Sequence, residues 1–269
     1  MPEWLSAPPL LAVRTHPSED PEIAVYHLTY HADGLRQTAY LAYRRAAVEN
    51  AVAPLPGFLY LRGGIGRVGM VKQDWLIRFA RRGAVVLAPV YRGNEGGEGR
   101  EDFGLRDRAD AFAGVTLLQN LGVVDSDRVS VYGFSRGGPM ALFCAMEDLN
   151  VHTAITHGGV SDLALTYEQR VDLRRLLKRI TGGSPMKMPA AYRERSPVWR
   201  ASDIRAPLLI IHGAADVQVD VSHAHRLASA CATANINAEL WILPEVGHHL
   251  PAAQWDSLID RMFSWIREK

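Results

Sequence analysis

The sequence predicts an α/β fold, with a mostly parallel, twisted sheet of about eight strands that has helices on both faces. From Phe58 to the C-terminus, apolar strand-like runs alternate with helix-like segments, which is the pattern of such a sheet. Two alternating stretches at 24–30 and 36–43 flank Asp33-Gly34, which predicts an antiparallel hairpin ahead of the parallel strands. Apolar residues make up 48% of the 269 residues, enough for a sizeable core.

The parallel strands are predicted from continuous apolar runs, because a strand covered on both faces loses the alternating pattern. The first run leads into the glycine loop 63–66. The expected strands are 58–61, 84–90, 128–132, 153–156, 207–211 and 238–243, and the expected helices are 71–82, 102–121, 136–146, 221–234 and 252–267. The helix at 102–121 is predicted to bury one stripe, consisting of Leu105, Ala109, Phe112, Ala113, Thr116 and Leu117.

The strand–helix alternation stops at residues 161–205, which are predicted to form a helical, lid-like insertion. We expect residues 1–269 to form one domain, with 1–54 as an N-terminal extension that includes the hairpin. The insertion holds ten Lys or Arg against five Asp or Glu. This excess is typical of an electropositive entrance for acidic substrates or, more commonly, of a solvated helix face.

Composition argues against several classes of protein. Thirty basic residues against 29 acidic ones leave a formal charge of +1, which gives no reason to expect a nucleic-acid partner. No run approaches the ~20 apolar residues of a membrane span, and the N-terminus lacks the basic region of a secretory signal. Cys144 and Cys231 match neither a disulfide framework nor a metal site. We therefore expect a cytoplasmic monomer or small homo-oligomer without a metal or cofactor.

The most informative motif is G-x-S-x-G, formed by Gly133, Ser135 and Gly137. An apolar β-branched run precedes it and an apolar helix-like run follows, which is the strand–turn–helix setting that the motif requires. On so sharp a turn the serine hydroxyl projects above the sheet, and the flanking positions must lack side chains. The motif therefore predicts Ser135 as a catalytic nucleophile.

A serine hydroxyl needs a base to activate it and an acid to orient that base. Asp216 follows the strand predicted at 207–211, and His248 follows the strand predicted at 238–243. The carboxyl ends of parallel strands meet at one edge of a sheet, so both side chains can reach Ser135 there. We therefore predict Asp216 as the acid and His248 as the base.

Each of these two assignments has an alternative nearby in the chain. Asp220 lies one helical turn beyond Asp216, where it is well placed to cap the helix that follows. His249 adjoins His248, although Gly247 frees the turn just ahead of His248. The other histidines considered are predicted to be structural, namely His157, His212, His223 and His225.

Together these motifs resemble those of the α/β-hydrolases, and within that group the catalytic domain of the prolyl oligopeptidase family of serine peptidases. The matching stretches occur in the family's order: YRGNEGGEG at 91–99, DSDRV at 125–129 leading to GFSRGG at 133–138, YRERSP at 192–197, HGAAD at 212–216, and then His248. The resemblance covers residues 55–269 and implies an α/β-hydrolase fold with a serine-hydrolase activity.

The sequence also departs from that family's pattern. The loop after the first core strand often reads His-Gly-Gly in the family, whereas here it begins with Arg62. The residue after the nucleophile is often aromatic in the peptidases, whereas here it is Arg136. The 54 residues ahead of the matching region are too few for even two blades of the β-propeller that usually accompanies the family's catalytic domain.

The expected reaction is hydrolysis of small or medium carboxylic esters, with peptidase or amidase action on short peptides or aminoacyl amides as the leading alternative. His248 is expected to take the Ser135 proton while Asp216 orients the imidazole. The backbone N–H groups of Arg136 and Gly64 are expected to bind the oxyanion. A non-catalytic binding protein of the same fold is the remote alternative.

Four side chains near the predicted site are candidate substrate contacts: Arg62, Tyr91, Glu95 and Glu98. Paired glutamates bind the substrate amine in some aminopeptidases of the resembled family, which implies the same for Glu95 and Glu98. Their glycine-rich loop favours ordinary exposure to solvent over this role.

Overall fold

The structure, a computed structural model, describes residues 2–6, 10–147 and 149–269. Within these ranges the strands are β1 Leu10–His16, β2 Ile23–Ala32, β3 Leu35–Arg44, β4 Leu55–Leu61, β5 Val85–Pro89, β6 Val124–Phe134, β7 Thr153–His157, β8 Leu208–Gly213 and β9 Ala238–Leu243. These nine strands form one sheet, in the order β1-β2-β3-β5-β4-β6-β7-β8-β9. The expected mostly parallel sheet is therefore confirmed, with one strand more than expected.

The first three strands are antiparallel, and β3 joins the rest of the sheet through an antiparallel pairing with β5. The predicted hairpin is confirmed: Asp33 and Gly34 form its turn with φ values of 52° and 73°. Two positive φ values match the twist of the strands that such a turn joins. The sequence pattern does not predict β1, which pairs only with β2 at the sheet edge and is half-buried or exposed along its length.

Strands β4 to β9 run parallel to one another and form the rest of the sheet, with β9 at its other edge. Their side chains alternate between two apolar cores: Leu59 and Leu61 of β4 lie in one, and Phe58 and Tyr60 lie in the other. Because both faces are covered, both sets of positions are apolar, which is why continuous runs predicted these strands.

Helices cover both faces of the sheet. In the described ranges the α-helices are α1 Arg45–Glu49, α2 Gln73–Ala80, α3 Arg108–Gln119, α4 Gly137–Met146, α5 Leu163–Gln169, α6 Arg174–Thr181, α7 Pro189–Arg193, α8 Ser222–Thr233 and α9 Trp255–Arg267. Helices α3, α4 and α8 pack on the face of Leu59, and α2 and α9 pack on the opposite face. Short 3-10 helices lie at Glu3–Ser6, Val171–Leu173, Pro197–Asp203 and Ala252–Gln254. Among the described residues, no helix has both the length and the apolar character needed to cross a lipid bilayer.

Helix α3 begins later than the sequence pattern predicts. The pattern places its start at residue 102, but the Asp107 carboxylate accepts hydrogen bonds from the N–H groups of the preceding residues and holds them in a loop. The predicted buried stripe is also wrong in part, because Thr116 is exposed. Asp110 is buried in its place and pairs with Arg92 at 2.9 Å.

The insertion predicted at 161–205 is helical and contains α5, α6 and α7. It packs on a small apolar cluster formed by Phe103, Leu163, Leu177 and Tyr192. Most of its basic side chains are exposed, whereas Arg195 is buried and donates a hydrogen bond to the Asp102 carbonyl oxygen. This is the arrangement of a solvated helix face, and a lid function stays a prediction.

Candidate active site

Ser135 lies on the turn between β6 and α4, at the carboxyl edge of the parallel strands. Its φ of 54° is in the left-handed region, which is strained for a residue with a side chain. A Cβ atom on Gly133 would lie 2.0 Å from the Gly137 carbonyl oxygen, and a Cβ atom on Gly137 would lie 2.0 Å from the Leu61 carbonyl oxygen. The tight approach of these segments explains why the motif has glycine at both positions.

Asp216 and His248 follow two neighbouring strands of the same sheet. Asp216 comes shortly after the end of β8, and His248 comes shortly after the end of β9. The last residues of these strands, Gly213 and Leu243, are paired in register. Both loops therefore leave the sheet at the same height and on the same edge as Ser135.

The structure joins Asp216 and His248. His248 Nδ1 donates a hydrogen bond of 2.7 Å to Asp216 Oδ2, and both side chains are buried. The other oxygen, Oδ1, accepts the N–H groups of Gln218 and Val219 at 2.8 and 2.9 Å. Burial by itself would raise the pKa of the Asp216 carboxyl, but hydrogen bonds from His212, His248 and Val219 hold that pKa well below its usual range.

The ionised state of Asp216 determines which imidazole nitrogen can act as a base. A carboxylate only accepts hydrogen bonds, so the proton of the neutral imidazole of His248 is held on Nδ1. The lone pair is then on Nε2, the atom that a general base needs free.

Ser135 and His248 line one cavity of about 390 Å³. Aromatic side chains supply much of its wall: Tyr60, Trp75, Tyr132, Phe134 and Trp255. Within the described ranges, no hydrogen bond joins the Ser135 hydroxyl to the imidazole, which is hydrogen-bonded to Asp216. Catalytic hydrogen bonds of this kind are often long without substrate and shorten when it binds.

The alternative acid and base take different positions. Asp220 accepts the Ser222 N–H at 2.9 Å, at the start of α8, as a capping side chain does. His249 also lines the cavity, but it is exposed and forms no ion pair with a carboxylate in the described part of the chain. His157 is buried behind the site and hydrogen-bonded to the Tyr132 hydroxyl at 2.9 Å. Among the described residues no group of three His, Cys, Asp or Glu side chains could hold a metal ion.

The two N–H groups predicted to bind the oxyanion are available. Neither the Arg136 N–H nor the Gly64 N–H has a hydrogen-bond partner among the residues that the structure describes. Arg136 directly precedes α4, where helical N–H groups lack an intrahelical acceptor. Gly64 and its neighbour Gly63 line the cavity beside Ser135. Their role in the reaction stays a prediction.

The four candidate substrate contacts do not line this cavity. Arg62 and Tyr91 are 0% and 1% exposed, and the Tyr91 hydroxyl donates to the Arg62 carbonyl oxygen. Glu95 accepts a hydrogen bond from a tyrosine of β3, and Glu98 forms an ion pair with an arginine of the same strand. Arg62 and Tyr91 therefore support loops from inside the protein, and the two glutamates bind side chains of β3. A role of these four residues as substrate contacts stays a prediction.

Sequence reasoning misses two carboxylates beneath the glycine loop. Glu101 forms ion pairs with both Arg62 and Arg136, and Asp107 forms one with Arg136. These arginines stand at the two positions where the sequence departs from the resembled family. Arginines at two such positions indicate that counter-charges lie nearby, but the sequence does not indicate which carboxylates supply them.

Comparisons with known proteins agree with this geometry. The model of the prolyl oligopeptidase family matches residues 72–269. A relative from Bacillus subtilis (strain 168), described as the uncharacterized peptidase YtmA, is 40% identical over 257 residues, which are 95% of this chain and 98% of the relative. Dipeptidyl-peptidase 5 of Porphyromonas gingivalis is 26% identical, and the match covers 78% of this chain but 33% of that protein.

Solved structures share the fold. A puromycin-hydrolyzing peptidase of Mycobacterium tuberculosis superposes with a TM-score of 0.77 at 24% identity, over 96% of this chain and 39% of the other. An acylaminoacyl peptidase superposes with a TM-score of 0.76 at 20% identity, over 92% of this chain and 42% of the other. The predicted α/β-hydrolase fold is confirmed by these superpositions. The chain spans less than half the length of either of these two proteins.

Proposed function

We propose, because this chain belongs to the prolyl oligopeptidase family, that it is a serine peptidase acting on short peptides or aminoacyl amides. The observation that carries the proposal is the buried pair of His248 and Asp216 at the cavity that Ser135 lines. The relatives named as peptidases favour amide bonds over the carboxylic esters that the sequence analysis put first. Peptide hydrolysis is therefore the main proposal, and ester hydrolysis becomes an outcome that the test must distinguish.

In the first step, His248 Nε2 takes the proton of the Ser135 hydroxyl as its oxygen attacks the carbonyl carbon of the scissile amide. The carbonyl oxygen becomes an oxyanion and is bound by the N–H groups of Gly64 and Arg136. The C–N bond then breaks, and His248 Nε2 donates this proton to the departing amine. An acyl group remains on Ser135.

In the second step, a water molecule gives its proton to His248 Nε2 and attacks the acyl carbon. Collapse of the second tetrahedral intermediate releases the acid and returns the proton to Ser135. Asp216 does not become protonated during either step; it stabilises the imidazolium and holds the ring in its orientation. The low pKa of its carboxyl fits this role.

The cavity suggests which part of the substrate is recognised. Its volume of about 390 Å³ is within the range of small-molecule sites, and its aromatic walls favour an apolar or aromatic group. We therefore propose that an apolar side chain next to the scissile bond packs against Trp75 and Trp255, whose rings contact each other edge to face, with centroids 4.4 Å apart, at one wall of the cavity.

The test combines labelling with a substrate panel. A fluorophosphonate probe, which reacts with activated serines, is mapped to its residue by mass spectrometry. The same protein is assayed on aminoacyl and dipeptidyl amides with apolar or charged side chains, and on p-nitrophenyl esters of matched size. We expect labelling at Ser135 and fastest turnover of the apolar amides.

Ser135→Ala serves as the paired variant. We expect its kcat to be lower by on the order of 10⁶, with an unchanged thermal unfolding temperature, because only one oxygen atom is removed. Labelling at another serine would overturn the site assignment. Turnover of esters without any turnover of amides would keep the site and overturn the peptidase proposal.

A further inference from the structure

Four charged side chains form a buried cluster beneath the glycine loop, which in the structure extends beyond the predicted 63–66 and comprises residues 63–69. The cluster consists of Arg62, Glu101, Asp107 and Arg136, whose side chains are 0%, 5%, 0% and 3% exposed. Two positive and two negative charges balance each other, and Glu101 lies between the two arginines. Burial of four charges is costly in free energy even when each is paired and hydrogen-bonded. A gain in stability therefore does not explain the cluster, which indicates another role.

The arginines of the cluster bind the carbonyl oxygens of the glycine loop. Arg62 Nη1 donates to the Gly63 and Val68 oxygens at 3.0 and 3.1 Å. Arg136 Nη1 donates to the Gly64 oxygen at 2.9 Å. The loop has few apolar side chains to hold it, so these charge-assisted hydrogen bonds determine its conformation.

Glu101 connects both arginines to the loop. Its Oε1 accepts Arg62 Nη2 at 3.1 Å and also the Gly66 N–H at 2.9 Å, while its Oε2 accepts Arg136 Nη1. Glu101 is therefore the one member of the cluster that contacts both arginines and the loop backbone in the described residues.

The hydrogen bond from Arg62 determines where one proposed oxyanion donor points. In a trans peptide unit the C=O and the following N–H point in opposite directions. The Gly63 oxygen faces the buried Arg62, so the Gly64 N–H of the same peptide unit faces away from Arg62. The cavity lies on that side, because Gly63, Gly64 and Ser135 line it and Arg62 does not.

We propose that Glu101 is a positioning residue for the oxyanion hole: through Arg62 and Arg136 it holds the glycine loop so that the Gly64 N–H points at the reacting carbonyl oxygen. This inference rests on the proposed serine-hydrolase function of the same site. Glu101 lies outside the cavity that holds Ser135, so it acts on the reaction without contacting the substrate.

Glu101→Gln is the decisive variant. Glutamine keeps the shape of the side chain, but its NH2 group must face a guanidinium, which is itself only a donor. We expect the loop to shift and kcat to fall on the order of 100-fold, as when an oxyanion donor is lost, while KM changes less than about threefold. The KI of a peptidyl trifluoromethyl ketone, whose adduct with the serine carries an oxyanion, should rise by the same factor as kcat/KM falls.

Asp110→Asn is the matched control. It also removes the charge of a buried carboxylate paired with an arginine, Arg92, but within the described ranges neither residue is hydrogen-bonded to the glycine loop. We expect this control to lower the thermal unfolding temperature and to leave kcat unchanged. A general loss of packing would lower kcat in both variants, whereas the proposed role lowers it only in Glu101→Gln.

The inference is overturned if folded Glu101→Gln keeps its kcat within about threefold of wild type, or if its KM rises and the KI of the ketone does not. Should this variant not fold, Arg62→Lys decides by the same measurements, because an ammonium pairs with Glu101 but cannot also bridge the Gly63 and Val68 oxygens. All rates are measured on the best wild-type substrate, whether amide or ester. A wrong substrate class therefore leaves this comparison intact, whereas labelling at a serine other than Ser135 overturns the proposed function as well.

Discussion

Replacement of Asp216 by asparagine removes the charge that orients the proposed base and little else. Asp216 accepts His248 Nδ1–H on one oxygen and the N–H groups of Gln218 and Val219 on the other. Asparagine has one carbonyl oxygen, which the two backbone donors will bind, so its NH2 group turns toward the imidazole. The ring must then accept at Nδ1 and carry its proton on Nε2, where it can no longer take the proton of Ser135.

The expected loss of kcat in Asp216→Asn is about 10⁴-fold, the size observed when the imidazole of a serine hydrolase is held in the wrong tautomer. This corresponds to about 5.5 kcal/mol of transition-state free energy, at 1.36 kcal/mol for each factor of ten. The fold should persist, because asparagine preserves the shape of the side chain and the two backbone hydrogen bonds. The assay is steady-state kinetics on the best wild-type substrate, with thermal unfolding measured on the same samples.

Asp220→Asn is the control for this prediction. Its carboxylate caps α8 through Ser222 and does not contact His248 in the described residues, so we expect an unchanged kcat and a stability loss of at most about 1 kcal/mol. The reasoning is refuted if Asp216→Asn retains a kcat within tenfold of wild type, or if Asp220→Asn loses more activity than Asp216→Asn.

Two further predictions concern stability. Burial lowers the pKa of His157 to about 3 and that of His223 to about 4, so between those values and about 6.5 the unfolded chain binds protons that the folded protein does not. The free energy of unfolding therefore falls as the pH falls, by about 4 kcal/mol from both histidines between pH 7.5 and 5. In denaturant unfolding, His157→Gln should show about half of this pH dependence. A denaturation midpoint of the wild type that does not change with pH would contradict the low pKa values of the two histidines. Gly137→Ala should not fold, or should lower the free energy of unfolding by several kcal/mol, because its Cβ would lie 2.0 Å from the Leu61 oxygen. The Cβ of Gly122→Ala would lie 3.9 Å from its nearest neighbour, so the free energy of unfolding of this control, measured in denaturant, should stay within about 1 kcal/mol of wild type.

The central strands and most helices follow from local patterns in the sequence. β4, β5 and β8 are predicted because a strand covered on both faces is apolar at every position, a property that depends on the strand alone. β1 is missed because an edge strand with one neighbour buries too little to impose such a pattern. The start of α3 is missed because the Asp107 carboxylate binds the N–H groups of the residues ahead of it and holds them in a loop. The spacing of apolar residues does not indicate such a competing hydrogen bond.

Some residues of the candidate site are likewise identified by local sequence, and others only by tertiary contacts. Ser135 is identified by its turn, since the glycines on either side are required by backbone contacts within a few residues or with the adjacent strand. The choice between Asp216 and Asp220 depends on contact with His248, which is 32 residues away from Asp216 in the chain. The order of the motifs favours Asp216 with His248, but only the hydrogen bond between these two side chains distinguishes the acid from Asp220, which caps a helix.

The primary sequence by itself determined the fold class, the serine turn and the edge of the sheet at which the chemistry is expected, because each depends on short-range sterics or on burial of a single element. Only the tertiary structure decided which charges meet. Arg62 and Arg136 read as substrate-facing or unexplained departures in the sequence, yet both bind Glu101, which is 39 residues from the first and 35 from the second. A carboxylate and an arginine attract each other wherever folding brings them together, and no local sequence pattern indicates how far apart the two side chains lie in the folded protein.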